Sequence, residues 1–201
     1  TLHRCAEYFF GVRVPSPPLL DELFKYYEKV WLSHGYQSAE EEAKYRAYGW
    51  QILSKFWEMH SIDFRLPVAV EWMFYIDIDG VKLRGFIDRI DKLDSGGLSI
   101  VDYKTSQKPF TRDYLEDDLQ LTLYQLAVQK KLCSPVEKLT LYHLRSNTPY
   151  SCAARDKTQL EAASRLVLEV AEKITQNSFP AVENQYCPCD FPEHCPYYRH
   201  Q

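Results

Sequence analysis

Three hydrophobic stretches separated by two turn-forming segments occupy residues 68–105. The first turn is Asp79-Gly80, a dipeptide typical of two-residue type I′ hairpins. The second lies at residues 94–97, where Gly96 can adopt a positive φ and close a three-residue loop. This part of the chain therefore predicts three consecutive antiparallel strands, and the rest of the fold has to be built around them.

Pairing the residues that flank each turn brings three acidic side chains into one row. Glu71 is expected opposite Asp88, and Asp88 opposite Asp102, with neighbouring strands about 5 Å apart. Lys104 lies two residues beyond Asp102, so it is expected on the same face, about 6.6 Å along the strand. The other face of the first strand is expected to be core, and it comprises Val68, Val70, Trp72, Phe74 and Ile76.

Such a row of acids is unfavourable without a compensating charge. Like charges directly opposite one another destabilise a sheet, and clustered carboxylates resist ionising together unless a cation lies between them. A solvated polar face would be the better interpretation for a single acid. Three aligned acids with a lysine favour a site for a divalent metal ion, Mg²⁺ or Mn²⁺, because carboxylate oxygens are the ligands that these hard cations prefer.

Length and composition indicate one globular domain over residues 1–201, with 45% hydrophobic residues. We expect an N-terminal helical part at 1–66, a central catalytic core at 67–176, and a cysteine-rich tail at 177–201. The sequence has no run of about 18 apolar residues and no signal peptide, so an intracellular protein, cytoplasmic or nucleoid-associated, with no membrane contact is expected. The first residue, Thr1, suggests a fragment or an excised domain.

Net charge of −4 argues against wholesale electrostatic binding of nucleic acid but permits a local basic path. Five basic residues lie near the acidic row in sequence, although each by itself is more simply interpreted as solvated surface. They are Arg84, Arg89, Lys92, Lys108 and Arg112.

Helical periodicity and capping patterns place helices on both sides of the three strands. Residues 2–10 are short and aromatic, and Arg13–Pro18 forms a connector because of its prolines. The predicted helices cover 19–32, 39–60 (with Ser38 and Glu41 as a capping box), 113–132 and 158–175, and further strands cover 137–145 and 151–155. The fourth strand is expected to join by a crossover, parallel to a central strand, which gives a mixed sheet flanked by helices.

Six cysteines are present, and three of them fall within nine residues near the C-terminus: Cys187, Cys189 and Cys195. This spacing is too tight for ordinary domain-spanning disulfides, so metal binding is favoured. Cys133 and Cys152 are expected to be buried small apolar residues.

Asp88 followed by Asp102-x-Lys104 on the neighbouring strand forms a D…(D/E)-x-K pattern. Two carboxylates can hold a divalent cation that lowers the pKa of a water and offsets charge on a phosphate. A lysine can position or deprotonate that water or stabilise the transition state. Gln120 and Tyr124, at i and i+4 of a predicted helix, can reach one point, although spacing alone does not distinguish them from a polar edge.

These residues resemble the PD-(D/E)xK nuclease superfamily, and within it the RecB/AddB-type nuclease domains. The matching motifs are G-F-I-D-R-I-D (85–91), I-V-D-Y-K-T (100–105) and D-L-Q-L-T-L-Y (118–124). The resemblance implies a restriction-endonuclease-like α/β fold with an αβββαβ core and a metal-dependent DNA nuclease. It assigns metal binding to Asp88 and Asp102, catalysis to Lys104, a helical wall to Gln120 and Tyr124, and an assisting role to Glu71.

Many members of this group carry a [4Fe–4S] cluster held by one early cysteine and three from the tail. The resemblance thus implies that Cys5, Cys187, Cys189 and Cys195 bind a cluster and close the tail onto the N-terminus at Cys5. Cys187-Pro188-Cys189 has one intervening residue where the family has two. A Cys₄ zinc site is the alternative, and unliganded cysteines are the third interpretation.

A metal-binding histidine in a Gly-x-x-x-His setting is also usual on an early helix of RecB-type domains. No such segment follows Arg13–Pro18, and neither His34 nor His60 has that context. The predicted function is exonuclease-type processing of DNA ends or single strands in recombination or repair, with a helicase or recombination subunit as partner. The alternative is a catalytically weakened or inactive DNA-binding module of a helicase–nuclease complex.

Overall fold

The computed structural model describes residues 1–180, which form six helices and five strands. The helices are α1 (Leu2–Phe10), α2 (Leu20–Lys29), α3 (Ala39–Ser61), α4 (Arg112–Glu116), α5 (Leu119–Leu132) and α6 (Lys157–Thr175). The strands are β1 (Ala69–Ile78), β2 (Val81–Lys92), β3 (Leu98–Lys104), β4 (Val136–His143) and β5 (Thr148–Ala153). None of the described helices is long and apolar enough to cross a membrane.

The strands form one five-stranded sheet in the order β1-β2-β3-β4-β5. All neighbours are antiparallel except β3 and β4, which are parallel and are joined by the crossover through α4 and α5. The predicted α/β fold class, a mixed central sheet flanked by helices with an αβββαβ core, is confirmed. β3 lies in the centre and is buried along almost its whole length, as expected for a strand covered on both faces.

Two hydrophobic cores lie on opposite faces of the sheet. Ile100 faces the first core, which packs α5 against β1 to β4, whereas Val101 and Tyr103 face the second core, which packs α1, α2 and α3 against β3 and β4. Alternation of neighbouring residues along β3 is what assigns the two cores to the two faces.

Both turns have the predicted geometry. Asp79 and Gly80 have φ values of 47° and 91°, and Gly96 has a φ of 92°. Leu93 N–H donates to the carbonyl of Gly97 at 2.9 Å and closes the second loop. These turns set the register of all three strands, so the predicted alignment of the row of acids follows from them.

Two local predictions were wrong, for the helix over 113–132 and for the core face of β1, and one helix was not predicted. Residues 2–10 form a helix, α1, because Cys5, Ala6, Phe9 and Phe10 make one apolar stripe that the second core buries. The single helix predicted over 113–132 is two helices, since Asp118 caps α5 by accepting a hydrogen bond from Leu121 N–H at 2.7 Å.

The face predicted as core along β1 is divided at Glu71. Val68 is 47% exposed, Val70 packs against the second core, and Trp72 packs against the first. Glu71 has a φ of 47°, which is unusual for a residue with a side chain and inverts the alternation of the strand. Residues on either side of Glu71 therefore face opposite cores.

Candidate active site

The register places the three predicted acids next to one another. Glu71 lies between the pairs Val70↔Arg89 and Trp72↔Ile87, and is therefore opposite Asp88. The β2–β3 pairing runs from Lys92↔Leu98 to Arg89↔Val101 and would next join Asp88 to Asp102.

Backbone pairing between β2 and β3 stops at this point. Here a side-chain contact replaces the backbone pairing: Asp88 Oδ2 accepts a hydrogen bond from the backbone N–H of Tyr103 at 2.6 Å. The two strands thus separate where Asp88 and Asp102 meet.

Asp102 is the most deeply buried of the acids, with 3% of its surface exposed. Lys104 Nζ lies 2.6 Å from its Oδ2, but this contact is not aligned as a hydrogen bond, so the oxygen has no hydrogen-bond partner among residues 1–180. Burial raises the pKa of Asp102 to about 6, with the nearby carboxylate of Asp88 adding to the rise and Lys104 opposing it. The net rise shows that Lys104 does not offset the burial of this carboxylate and the charge of Asp88 beside it.

The pKa of Asp88 is raised as well, mainly by burial. The hydrogen bond from Tyr103 N–H and the charges of His3 and Lys104 oppose this rise. Two neighbouring carboxylates that are both difficult to ionise form a site whose anionic state needs a cation.

Helix α5 supplies the wall that was predicted from Gln120 and Tyr124. Lys104 Nζ donates to Gln120 Oε1 at 2.6 Å, and Gln120 Nε2 donates to the hydroxyl of Tyr124 at 2.7 Å. The pKa of Tyr124 is raised, first by burial and then by the charge of Asp102. The chain of contacts from Asp102 through Lys104 and Gln120 to Tyr124 fixes the lysine head at the edge of the site.

Close packing explains why the first residue of the G-x-x-D motif, Gly85, is a glycine. A Cβ at this position would lie 2.6 Å from the ring of Phe74, its partner on β1. Phe74 is buried and packs edge-on against Tyr124, with ring centroids 5.9 Å apart. The absence of a side chain at Gly85 therefore lets Phe74 support the helical wall of the site.

Glu71 and two residues of α1 complete the surroundings. Burial raises the pKa of Glu71, and the charges of Asp88 and Glu7 raise it further, whereas His3 lowers it. His3 Nε2 is hydrogen-bonded to the carbonyl of Tyr103 at 2.6 Å, which places its ring beside the strand that carries Asp102.

Sequence reasoning missed His3 and Glu7, because α1 was not predicted and the expected histidine was sought after residue 18. His60 and His34 lie away from the site. His60 packs against the second core, where its Nε2 is hydrogen-bonded to the Tyr142 hydroxyl at 3.0 Å, and His34 is exposed.

The donor set fits a divalent cation held by two carboxylates. Within the described part of the chain, no three His, Cys, Asp or Glu side chains converge closely enough to form a complete metal site. Asp88 and Asp102 nevertheless offer hard oxygen donors, and the two neighbouring carboxylates share the positive charge of Lys104, which lies 2.6 Å from Asp102 Oδ2.

Of the four cysteines in the predicted cluster, Cys5 lies within residues 1–180. This residue is fully buried in the second core, and burial raises the pKa of its thiol to about 12. Cys187, Cys189 and Cys195 lie outside the described residues, so the four-cysteine cluster remains a prediction. Cys133 is exposed and Cys152 half-buried, which corrects the expectation that both are buried.

Arg89 does not belong to a basic surface path. It is buried, donates to Asp91 Oδ2 at 3.1 Å and to the Tyr103 hydroxyl at 2.7 Å, and stacks over Phe10 with 4.0 Å to the ring centroid. Its guanidinium group packs against the second core and is held there by these contacts. The expectation of solvated surface was therefore wrong for this residue.

Two curated proteins are similar to this chain in sequence. "Gene 69 protein" of Mycobacterium phage D29 is 32% identical over 138 residues, which is 65% of this chain and 49% of that protein. "Gene 69 protein" of Mycobacterium phage L5 is 31% identical over 141 residues, 65% of this chain and 45% of that protein. The chain thus spans about half the length of the curated relatives it matches.

A solved structure and a family profile also match this chain. A crystal structure from Eubacterium rectale named "Putative exonuclease" aligns with a TM-score of 0.49 at 13% identity, covering 94% of this chain and 71% of that one. The sequence profile of the PD-(D/E)XK nuclease superfamily matches residues 1–199, almost the entire chain. The chain therefore belongs to the PD-(D/E)XK nuclease superfamily.

Proposed function

We propose that this chain is a divalent-metal-dependent DNA nuclease that hydrolyses phosphodiester bonds at the site formed by Asp88, Asp102 and Lys104. The observation that carries the proposal is the buried Oδ2 of Asp102, which lacks an aligned partner and lies beside a second carboxylate and a lysine held by α5. Membership of the superfamily supports the reaction class.

Asp88 and Asp102 would hold the cation, and Glu71 would assist from the neighbouring strand. A divalent cation at such a site supplies positive charge that offsets charge on the phosphate and lowers the pKa of an attacking water. Asp88 can use its Oδ1 for this role, since its Oδ2 is occupied by the Tyr103 N–H.

Lys104 has the geometry of a positioning and charge-stabilising group. Its Nζ lies 2.6 Å from both Asp102 Oδ2 and Gln120 Oε1, so it is held between strand and helix rather than free in solution. From this position it can orient the attacking water, take its proton, or stabilise charge on the phosphate. Gln120 and Tyr124 act through Lys104 and are positioning residues.

His3 supports an active enzyme over a weakened DNA-binding module. The absent Gly-x-x-x-His segment was the reason for considering the inactive alternative. A histidine from α1 nevertheless reaches the Tyr103 carbonyl and affects the charge balance of Asp88. The site therefore has an imidazole close to its acids, supplied from a different point in the sequence.

The test is cleavage of end-labelled single- and double-stranded DNA in Mg²⁺ or Mn²⁺. We expect Lys104→Gln to reduce the rate by at least about 100-fold, in the range for loss of a general acid or base. Lys131→Gln, which removes an exposed lysine at the end of α5, is the matched control and should cleave normally. Full activity of Lys104→Gln would contradict the proposal, and DNA binding without cleavage in any divalent ion would favour the inactive module.

We further propose a branch of the superfamily, a mode of action and a partner for this chain. Placement in the iron–sulfur RecB/AddB-type branch depends on the sequence motif of Cys5, Cys187, Cys189 and Cys195, with zinc as the alternative metal. Exonuclease-type action in recombination or repair, and association with a helicase subunit, depend on the family resemblance alone.

A further inference from the structure

One face of the β1–β2 hairpin carries large apolar side chains that are exposed. Met73 and Phe86 lie opposite each other across the two strands, and Tyr75 lies opposite Arg84. Met73 is 58% exposed, Tyr75 50% and Phe86 47%. Lys82, next along this face beyond Arg84, is exposed as well. We call this surface, formed by Met73, Tyr75, Lys82, Arg84 and Phe86, the hairpin face.

The hairpin face has no covering element within residues 1–180, in contrast to the opposite face of the same strands. Phe74, Ile76 and Ile78 alternate with the exposed residues and are buried in the first core. β3 pairs with β2 only from Arg89 onward, so the hairpin extends past the edge of β3. A cluster of exposed aromatic and aliphatic side chains on a strand pair of this kind marks an interaction surface.

The chemistry of the hairpin face suits an unpaired nucleic-acid strand. Aromatic rings stack on any exposed base, and arginine and lysine pair with the phosphates between bases. Neither Arg84 nor Lys82 forms an ion pair with a described residue. Asp77 is the acid opposite Lys82, and its Oδ1 already accepts a hydrogen bond from Gly80 N–H at the turn. A duplex hides its base faces, so the rings favour a single strand.

The hairpin face meets the candidate active site where β2 and β3 separate, but the two lie on opposite faces of the sheet. Met73 and Phe86 alternate with the first-core residues Phe74 and Ile87, whereas Asp102 alternates with the second-core residues Val101 and Tyr103. Phe86 lies two residues before Asp88, and Met73 lies two residues after Glu71, which places each about 7 Å along its strand from an acid. A strand stacked on Tyr75 and Phe86 would therefore reach Asp102 by passing through the separation between β2 and β3, where their pairing ends at Arg89 and Val101.

We propose that the hairpin face binds single-stranded DNA through stacking on Tyr75 and Phe86 and phosphate contacts from Arg84 and Lys82, and delivers the strand to Asp88 and Asp102. The inference depends on the proposed nuclease function for its last step. Binding itself does not require cleavage, which allows the two to be tested separately.

The experiment measures the affinity of the full chain for labelled oligothymidylate in EDTA, where cleavage is prevented. The double variant Tyr75→Ala/Phe86→Ala should bind at least about tenfold more weakly. Arg84→Gln should also bind more weakly, and its affinity should depend less steeply on salt concentration. Tyr45→Ala on α3 and Arg165→Gln on α6 remove exposed side chains elsewhere and should bind as the wild type does. In Mg²⁺, the double variant should show a raised KM with kcat retained at saturating DNA.

The outcomes separate the docking surface from the chemistry. Unchanged affinity of the Tyr75→Ala/Phe86→Ala variant would overturn the hairpin face while leaving the nuclease intact. A wild type that binds single strands through this face but cleaves nothing would support the surface and defeat the proposed function. The wild type could instead sediment as a dimer and the Tyr75→Ala/Phe86→Ala variant as a monomer, with equal affinities for DNA. That result would overturn the inference and show that the hairpin face binds a second copy of the chain.

Discussion

Replacing Asp102 with asparagine should stabilise the metal-free protein while it removes activity. Burial raises the pKa of Asp102 to about 6 from its ordinary 3.8, so the folded protein binds this proton more tightly than the unfolded chain does. Stability contributed by this proton is therefore present below pH 4 and is lost as the pH rises to about 6. Above that pH the folded protein bears the full cost of a buried carboxylate.

The size of the effect follows from the same values. A change in pKa from 3.8 to about 6 corresponds to about 3 kcal/mol at neutral pH, net of the attraction to Lys104. The substituted amide side chain would carry no charge, and Lys104 would keep Gln120 as its partner. We therefore expect Asp102→Asn to raise the free energy of unfolding by up to about 3 kcal/mol at pH 7.5 in EDTA, measured by denaturant titration.

The control is Asp63→Asn, which removes one negative charge at an exposed position and should change stability little. The difference in unfolding free energy between Asp102→Asn and the wild type should decrease as the pH is lowered towards 4. Mg²⁺ should stabilise the wild type but not the variant. A variant that is less stable than the wild type at pH 7.5, yet stabilised by Mg²⁺ to the same extent, would refute the reasoning.

Two further predictions concern the second core and the cysteines. Burial lowers the pKa of His60 to about 3 from 6.5, so its contribution to stability is present above pH 6.5 and is lost as the pH falls towards 3. Between pH 7 and pH 5 the wild type should therefore lose about 2 kcal/mol more unfolding free energy than His60→Gln, and equal losses would be contradictory. Anaerobically purified protein should be brown, and Cys5→Ser should lose the visible absorbance. A colourless protein containing zinc would indicate the alternative metal, and one with neither metal would exclude both.

Local turn chemistry made the register of the central strands predictable. Asp79 and Gly80 adopt the positive φ values that their dipeptide favours, and Gly96 adopts the one that its loop requires. Since side chains in a strand alternate with a strict period, two correctly placed turns bring Asp88 and Asp102 together across the sheet. The acids could thus be aligned from the sequence even though they lie on different strands.

Features that depend on tertiary packing were not predictable in this way. α1 has nine residues, too few for an isolated helix to be stable in water, and it is stabilised by burial in the second core. His3 meets the Tyr103 carbonyl across 100 residues of sequence, a contact that no local pattern indicates. The positive φ of Glu71 inverts the alternation of β1, although glutamate rarely adopts that conformation.

Binding of Mn²⁺ tests most directly whether Asp88 and Asp102 form a cation site. Titration of the full chain with Mn²⁺, followed by electron paramagnetic resonance of the free ion, measures occupancy independently of cleavage. We expect saturable binding by the wild type, its loss in Asp88→Asn and Asp102→Asn, and wild-type binding by Asp63→Asn. Mn²⁺ binding of equal affinity in Asp102→Asn would show that the buried carboxylates do not hold the ion, and would contradict the proposed mechanism.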